Sequence, residues 1–256
     1  MDNNPKVLYF DLETSPCIVE TWGTGKQYIG AEQIRKERKV FCICYKWAQD
    51  KKVHRITMDM SKHDLDLFDD DADKEMLIKF SEIYNSADIA VAHNGRAFDL
   101  ARVRARLVKY GLPDLAPILF DDSYVFSKDK DFTSHKLDYL CRYLNLKGKT
   151  STSRKLWSQV MDGSKKALKQ MVDYCSNDVV ILEQMYLKLK PYCKSKLNLA
   201  VFYEDSRLCP SCGGELKESG HAYTTTSKKK RYRCKECGSW FRSGKNLIEK
   251  PGEYPR

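Results

Sequence analysis

The sequence predicts an α/β chain, a mixed β-sheet flanked by helices, with a small β module at its C-terminal end. Three observations carry this. KVLYFDLE at 6–13 is an apolar run that turns acidic, as a central strand does when it ends at a functional edge. Two more strand-like runs follow before strand and helix patterns begin to alternate, and that order suits a sheet started antiparallel and continued through crossovers. Close to the C-terminal end, two CxxC pairs bracket a basic stretch.

The elements follow in order. After the first strand, the Gly- and Pro-containing stretch 14–27 reads as loop. Residues 39–48 and 51–58 read as strands joined by a turn at Gln49-Asp50, which makes an antiparallel three-stranded start. The acidic stretch 64–73 reads as a solvated loop whose last members cap a helix running from Lys74 to about Tyr84. An apolar strand at 87–94 leads into a helix at about 98–110, stopped by Gly111 and Pro113. The segment 117–126 reads as the last strand of the sheet, and 135–146 and 167–189 are helical. The expected domains are 1–190, a linker at 191–204, a cysteine module at 205–245 and a tail at 246–256.

Composition bounds the function. The chain of 256 residues is 42% hydrophobic, enough for a core and too much for global disorder. No apolar run is long enough to span a bilayer, and the opening MDNNPK lacks a signal-peptide apolar region. A cytoplasmic protein without a membrane partner is expected. Six cysteines (17, 42, 44, 141, 175 and 193) are scattered among apolar neighbours and read as reduced core residues. The net charge of +10 favours polyanionic partners, and half of the excess falls in residues 201–256.

Three short acidic patterns carry the chemistry. Asp11 and Glu13 lie two apart on a strand, so both leave one face, and two such carboxylates resist joint ionisation without a cation. Alone, a DxE is short and common and reads rather as a strand end with two solvated acids. Asp99, closing HNGRAFD at 93–99, sits in the first turn of a helix after a buried strand, where a macrodipole also favours an acid. Tyr174 and Asp178 in YCSND are one helical turn apart, beside the apolar stripe of Val172, Cys175, Val179 and Leu182. A core-facing acid needs a partner or a metal.

In this order, FDLET, NxxxFD and YxxxD resemble the DnaQ-like 3′–5′ exonucleases of the DEDD superfamily, and the tyrosine points to the DEDDy branch. ETSPCIVETWGTGKQ, ICYKW, HKLDYLCRYLNL and WSQVM look like the YprB-like, often phage-borne, subgroup. The resemblance implies a ribonuclease-H-like fold and hydrolysis of phosphodiester bonds from a 3′ end. It assigns two Mg²⁺ or Mn²⁺ ions to Asp11, Glu13, Asp99 and Asp178, and orientation of the attacking water to Tyr174. Thr14 and Asn94 fall at positions that resemble substrate contacts. A catalytically silent binding protein and a structure-selective endonuclease are the alternatives, because a fold does not set its chemistry. Arg102, Arg104 and Arg106 read as a solvated basic helix face, and His54, His63, His93 and His135 carry no ligand spacing.

Cys209, Cys212, Cys234 and Cys237 form two CxxC knuckles, each followed by Gly, and resemble a zinc ribbon holding one structural Zn²⁺. Lys228, Lys229, Lys230, Arg231 and Tyr232 on the intervening hairpin combine charge with stacking surface, as single-stranded nucleic acid requires. The expected substrate is a single strand or a duplex 3′ end, DNA or RNA; protein partners are not legible.

Overall fold

A computed structural model describes residues 4–62, 71–146, 148, 152–193 and 197–249. The chain divides into two compact units, Lys6–Tyr186 and Leu187–Arg256 with Met1–Pro5.

The larger unit is built on a five-stranded sheet. Strand β1 (Val7–Thr14) pairs antiparallel with β4 (Val40–Trp47), which pairs antiparallel with β5 (His54–Thr57). On its other side β1 runs parallel to β6 (Ile89–Ala92), and β6 runs parallel to β7 (Leu119–Asp122). The antiparallel start and the mixed sheet are as the sequence predicts. β1 is central and therefore buried on both faces. Phe10 meets Phe80 and Tyr84 of helix α1 (Lys74–Asn85) on one face, while Tyr9 lies edge-on to Tyr186 of helix α6 (Lys165–Leu189) on the other.

Several elements differ from the sequence reading, each for a local reason. The expected loop at 14–27 contributes β2 (Ile18–Val19), which pairs with β3 (Ile34–Lys36) as a separate two-stranded sheet. The apolar segment 117–126 is strand only as far as Asp122. Its side chain accepts from Tyr124 N at 3.0 Å and starts helix α3 (Ser123–Lys128), so Tyr124, Val125 and Phe126 are helical. Asp73 is buried rather than solvated. It takes a bidentate ion pair from Arg106, 2.7 Å at the closest, and accepts from Val40 N at 2.8 Å. Arg106, on helix α2 (Asp99–Lys109), is accordingly inside and not on a solvated face. Residues 64–70 of the acidic stretch, and His63, lie outside the described residues.

Helices α4 (Leu137–Tyr143) and α5 (Arg154–Met161) precede α6 in this unit. In the smaller unit, part of the expected linker is helix α7 (Leu199–Phe202), because Asn198 caps it by accepting from Ala200 N at 3.1 Å and Leu199 and Ala200 are buried. A three-stranded sheet of order β10-β9-β8 follows, from β8 (Leu216–Thr224), β9 (Ser227–Cys234) and β10 (Trp240–Arg242). Among the described residues no helix is long and apolar enough to cross a membrane.

Candidate active site and metal centre

The two-residue repeat of β1 places Tyr9, Asp11 and Glu13 on the face that α6 covers. Regular pairing with β4 shifts register at Glu13–Thr14, just past the two acids. From α6, Asp178 arrives at the same place: one ligand oxygen each of Asp11, Glu13 and Asp178 lies within 4.8 Å of the others. Asp178 is buried, and the helix is pinned beside β1 by the Cys175 thiol, which donates to Asp11 O at 3.3 Å and to Asp11 Oδ2 at 3.5 Å.

Asp99 enters from the opposite layer, at the first residue of α2. Its Oδ1 accepts from Leu12 N at 3.2 Å, which ties the start of α2 to β1 between the two acids. Burial pushes its carboxyl up to about 7, against the pull of hydrogen bonds from its own N–H and that of Leu12. A buried acid held this high favours a bound cation, which would let it ionise. Asp11, Asp99, Tyr174 and Asp178 line one cavity of about 420 Å³, the size of a ligand cleft. Tyr174 sits one turn before Asp178 and is held edge-on by Trp157 of α5, with ring centroids 6.1 Å apart.

The turn joining β6 to α2 shapes the cavity wall. Asn94 is left-handed (φ 64°) and its N–H donates to Asp122 Oδ1 at 2.8 Å, while Arg96 N donates to Asp122 Oδ2 at 3.3 Å. Gly95 follows because a Cβ there would lie 2.5 Å from Ala92 Cβ and 2.8 Å from the Phe120 ring. Asn94 lines the same cavity, whereas Thr14 lines a smaller one of about 200 Å³ with Arg38, Lys39, Arg102 and Lys109.

The sequence reading passed over two histidines that line the cavity of Asp11 and Asp178, His93 and His135. His93 is fixed by Ser123 Oγ and the carbonyl of His135, each at 2.9 Å, and His135 by Ser127 Oγ at 3.0 Å. Their signal was position rather than spacing, since His93 opens the pattern that Asp99 closes. Under the acids, Cys42 and Cys44 of β4 stand opposite Glu13 and Asp11. Cys42, Cys44, Cys141 and Cys175 are buried thiols, as expected, while Cys17 and Cys193 are half-buried.

The four module cysteines form a second cluster, with ligand sulfurs all within 4.8 Å of one another. Cys209 and Cys237 sulfurs are 3.7 Å apart and those of Cys212 and Cys234 3.5 Å, too far for disulfides. Gly213 and Gly238, directly after each pair, are both at φ 76°, and the N–H groups of Gly214 and Cys237 donate to the sulfurs of Cys212 and Cys234. Of the basic hairpin residues, Lys230 pairs with Glu218 at 2.8 Å and Lys228 stands 5.9 Å from the Tyr223 ring centre; Lys229 and Tyr232 are half-buried, and Arg231 is exposed.

A stretch of 70 residues, 27% of the chain, is 36% identical to part of the DNA polymerase III PolC-type of Ureaplasma parvum serovar 3. The match spans about 5% of that much longer protein. The RNase_H superfamily model matches residues 8–190, which include the three acids of the β1–α6 cluster, Asp99 and Tyr174. This chain belongs to the RNase_H superfamily.

Proposed function

We propose that the chain is a divalent-metal-dependent 3′–5′ exonuclease acting on single-stranded nucleic acid or a 3′ end. The observation that carries this reading is the convergence of Asp11, Glu13 and Asp178, from a strand and a helix more than 160 residues apart, beside buried Asp99. Hard carboxylate oxygens in such a group suit two Mg²⁺ or Mn²⁺ ions. When bound, such a pair activates water and stabilises the leaving 3′-oxygen of a phosphodiester.

The chain's own residues do the rest. Asp11 and Glu13 offer oxygens from one strand face, Asp178 from the helix above, and Asp99 from the start of α2, so the scissile phosphate is approached from both layers. Tyr174 positions the attacking water. A phenol with an ordinary pKa of about 10 is a poor base at neutral pH, and its packing on Trp157 suits a fixed donor. Asn94, which lines the same cavity, would contact the terminal nucleotide.

In the module, Cys209, Cys212, Cys234 and Cys237 would hold one structural Zn²⁺ as thiolates. With Zn–S bonds of about 2.3 Å, a tetrahedron has S···S edges of about 3.8 Å, near the 3.7 and 3.5 Å separations found. All four positions are thiolate, so the site is structural rather than catalytic.

The test is digestion of matched 5′-labelled DNA and RNA strands with Mg²⁺ or Mn²⁺, beside an Asp11→Ala control. A ladder shortening one nucleotide at a time from the 3′ end is expected. Internal fragments at early times would instead mean an endonuclease, and intact strands a binding protein.

A further inference from the structure

The basic hairpin has two faces with different chemistry. Directly paired residues of antiparallel strands share a face. Lys217, Arg233 and Trp240 are paired across β8, β9 and β10, and Arg231 and Arg242 pair two residues further along the same face. The guanidinium carbons of Arg231 and Arg233 lie 4.9 and 5.6 Å from the Trp240 ring centre, and Trp240 is still 51% exposed. Among the described residues, none of these four cations is in an ion pair, whereas Lys230 on the opposite face is paired with Glu218.

This face opens onto a cavity of about 960 Å³, lined by Lys217, Arg233 and Trp240 with Pro191, Tyr192 and the loop Lys235–Ser239. Ser239 Oγ donates to Pro191 O at 2.9 Å and joins the two walls, and Tyr192 is 74% exposed. Two exposed aromatics and two unpaired cations thus converge on one open site.

We infer that this face is a single-strand nucleic-acid site, in which bases stack on Trp240 and Tyr192 while Lys217, Arg231, Arg233 and Arg242 take the phosphates. It rests on the reading that the chain's substrate is nucleic acid, and it relocates the module's contacts from Lys228 and Lys230 to the opposite face. A duplex keeps its base faces stacked internally and offers these rings little, so single strands are preferred. Guanidinium planes beside an indole extend the stacking surface.

The experiment uses the full chain, a 5′-fluorescein-labelled oligothymidylate of 20 nucleotides, no added Mg²⁺ or Mn²⁺, and anisotropy at several salt concentrations. Trp240→Ala weakens binding about tenfold, and Trp240→Phe restores most of it. Arg231→Gln with Arg233→Gln flattens the slope of log affinity on log salt by about 1.4, at about 0.7 per phosphate contact on a single strand. Lys228→Gln with Lys230→Gln changes both quantities less. Zinc content of each variant reports that the module is intact; these side chains are exposed or lie outside the thiol cluster, so the two arginine changes carry the test even if one tryptophan variant misfolds. Unchanged affinity in both the Trp240→Ala and the double arginine variants overturns the inference. So does equally tight binding of inorganic polyphosphate that resists Trp240→Ala, which means a generic anion patch. Failure of the nuclease reading shows separately: the wild-type chain would leave a chromogenic phosphodiester of thymidine 5′-phosphate uncleaved in Mn²⁺, whatever the module binds.

Discussion

Asp11, Glu13 and Asp178 meet because a central strand and a 25-residue helix pack around Tyr9, Val179, Leu182 and Tyr186, all buried. The segment that holds the four cysteines packs far less, and the buried apolar side chains of its unit, Leu189, Leu197, Leu199 and Ala200, all precede it. Between residues 205 and 249 the buried residues are Cys209, Ser211, Gly214, Cys234 and Ser239, with no buried aliphatic or aromatic side chain. In the first region the fold makes the ligand group; in the second the ligand group substitutes for a core. A carboxylate cluster adds repulsion to a fold that exists without it, so a cation there relieves a cost. A thiolate cluster in a segment with so few buried side chains would leave a bound ion to supply much of the folding energy.

The largest expected effect tests that contrast from the cysteine side. Cys234→Ser should abolish zinc binding and make residues 205–249 protease-sensitive, since a structural zinc contributes on the order of 10 kcal/mol to such a module. The unit Lys6–Tyr186 should keep its helical circular dichroism and its cleavage of a small chromogenic phosphodiester. Loss of the larger unit's fold in Cys234→Ser would show that the two regions do not stand apart in this way.

From the carboxylate side, Asp178→Ala should lower Mn²⁺-dependent cleavage by on the order of 10³-fold or more. Its metal-free Tm should change little, because the repulsion relieved in the carboxylate cluster offsets the loss of the side chain's own contacts. A Tm drop of many degrees would mean that Asp178 holds the fold together and does not merely use it.

Asp99 gives a pH dependence with a definite sign. Its carboxyl is raised by burial to about 7 from an ordinary 3.8. Between those values the folded chain holds a proton that the unfolded chain releases, so the stability from Asp99 is fully present below the ordinary value and lost as pH rises through about 7. Metal-free Tm should therefore decline across this window, and Mn²⁺ affinity should rise with pH as the carboxylate forms. Asp99→Asn should flatten the Tm profile. Thermal melts at several pH values, with and without Mn²⁺, make the measurement.

Much of this was legible from residues alone, and the misses share a cause. The sheet's antiparallel start and the β6–α2 order follow from local apolar periodicity, and Asp11 with Glu13 on one face follows from the two-residue repeat of a strand. The CxxC pairs were legible because their spacing is itself the geometry. What sequence could not show depends on contacts between distant segments. Arg106 reads as surface on a helical wheel until Asp73, 33 residues earlier, is placed against it. Tyr124–Phe126 reads as strand until Asp122 turns its side chain into a cap. The basic hairpin reads as one patch until strand register sorts Arg231 and Arg233 to the face of Trp240 and leaves Lys230 beside Glu218. Pattern reports a segment's own period; pairing across the fold decides which charges are used up.

The mildest perturbation separates holding from positioning within the carboxylate site. Tyr174→Phe removes one oxygen and keeps the ring that packs edge-on to Trp157, so the wall of the cavity and all four acids stay in place. Mn²⁺ affinity should be unchanged, and the rate should fall about 10–100-fold, at the low end for loss of a positioned proton-handling group. The pH–rate profile discriminates further. A residue that only orients water lowers the plateau and leaves the profile's shape, whereas a tyrosine acting as base would take a limb of the profile with it. Weakened Mn²⁺ binding in Tyr174→Phe would move Tyr174 from positioning water to supporting the acids. An unchanged rate would leave the acids as the whole of the site, with Tyr174 serving only to pack α6 against α5.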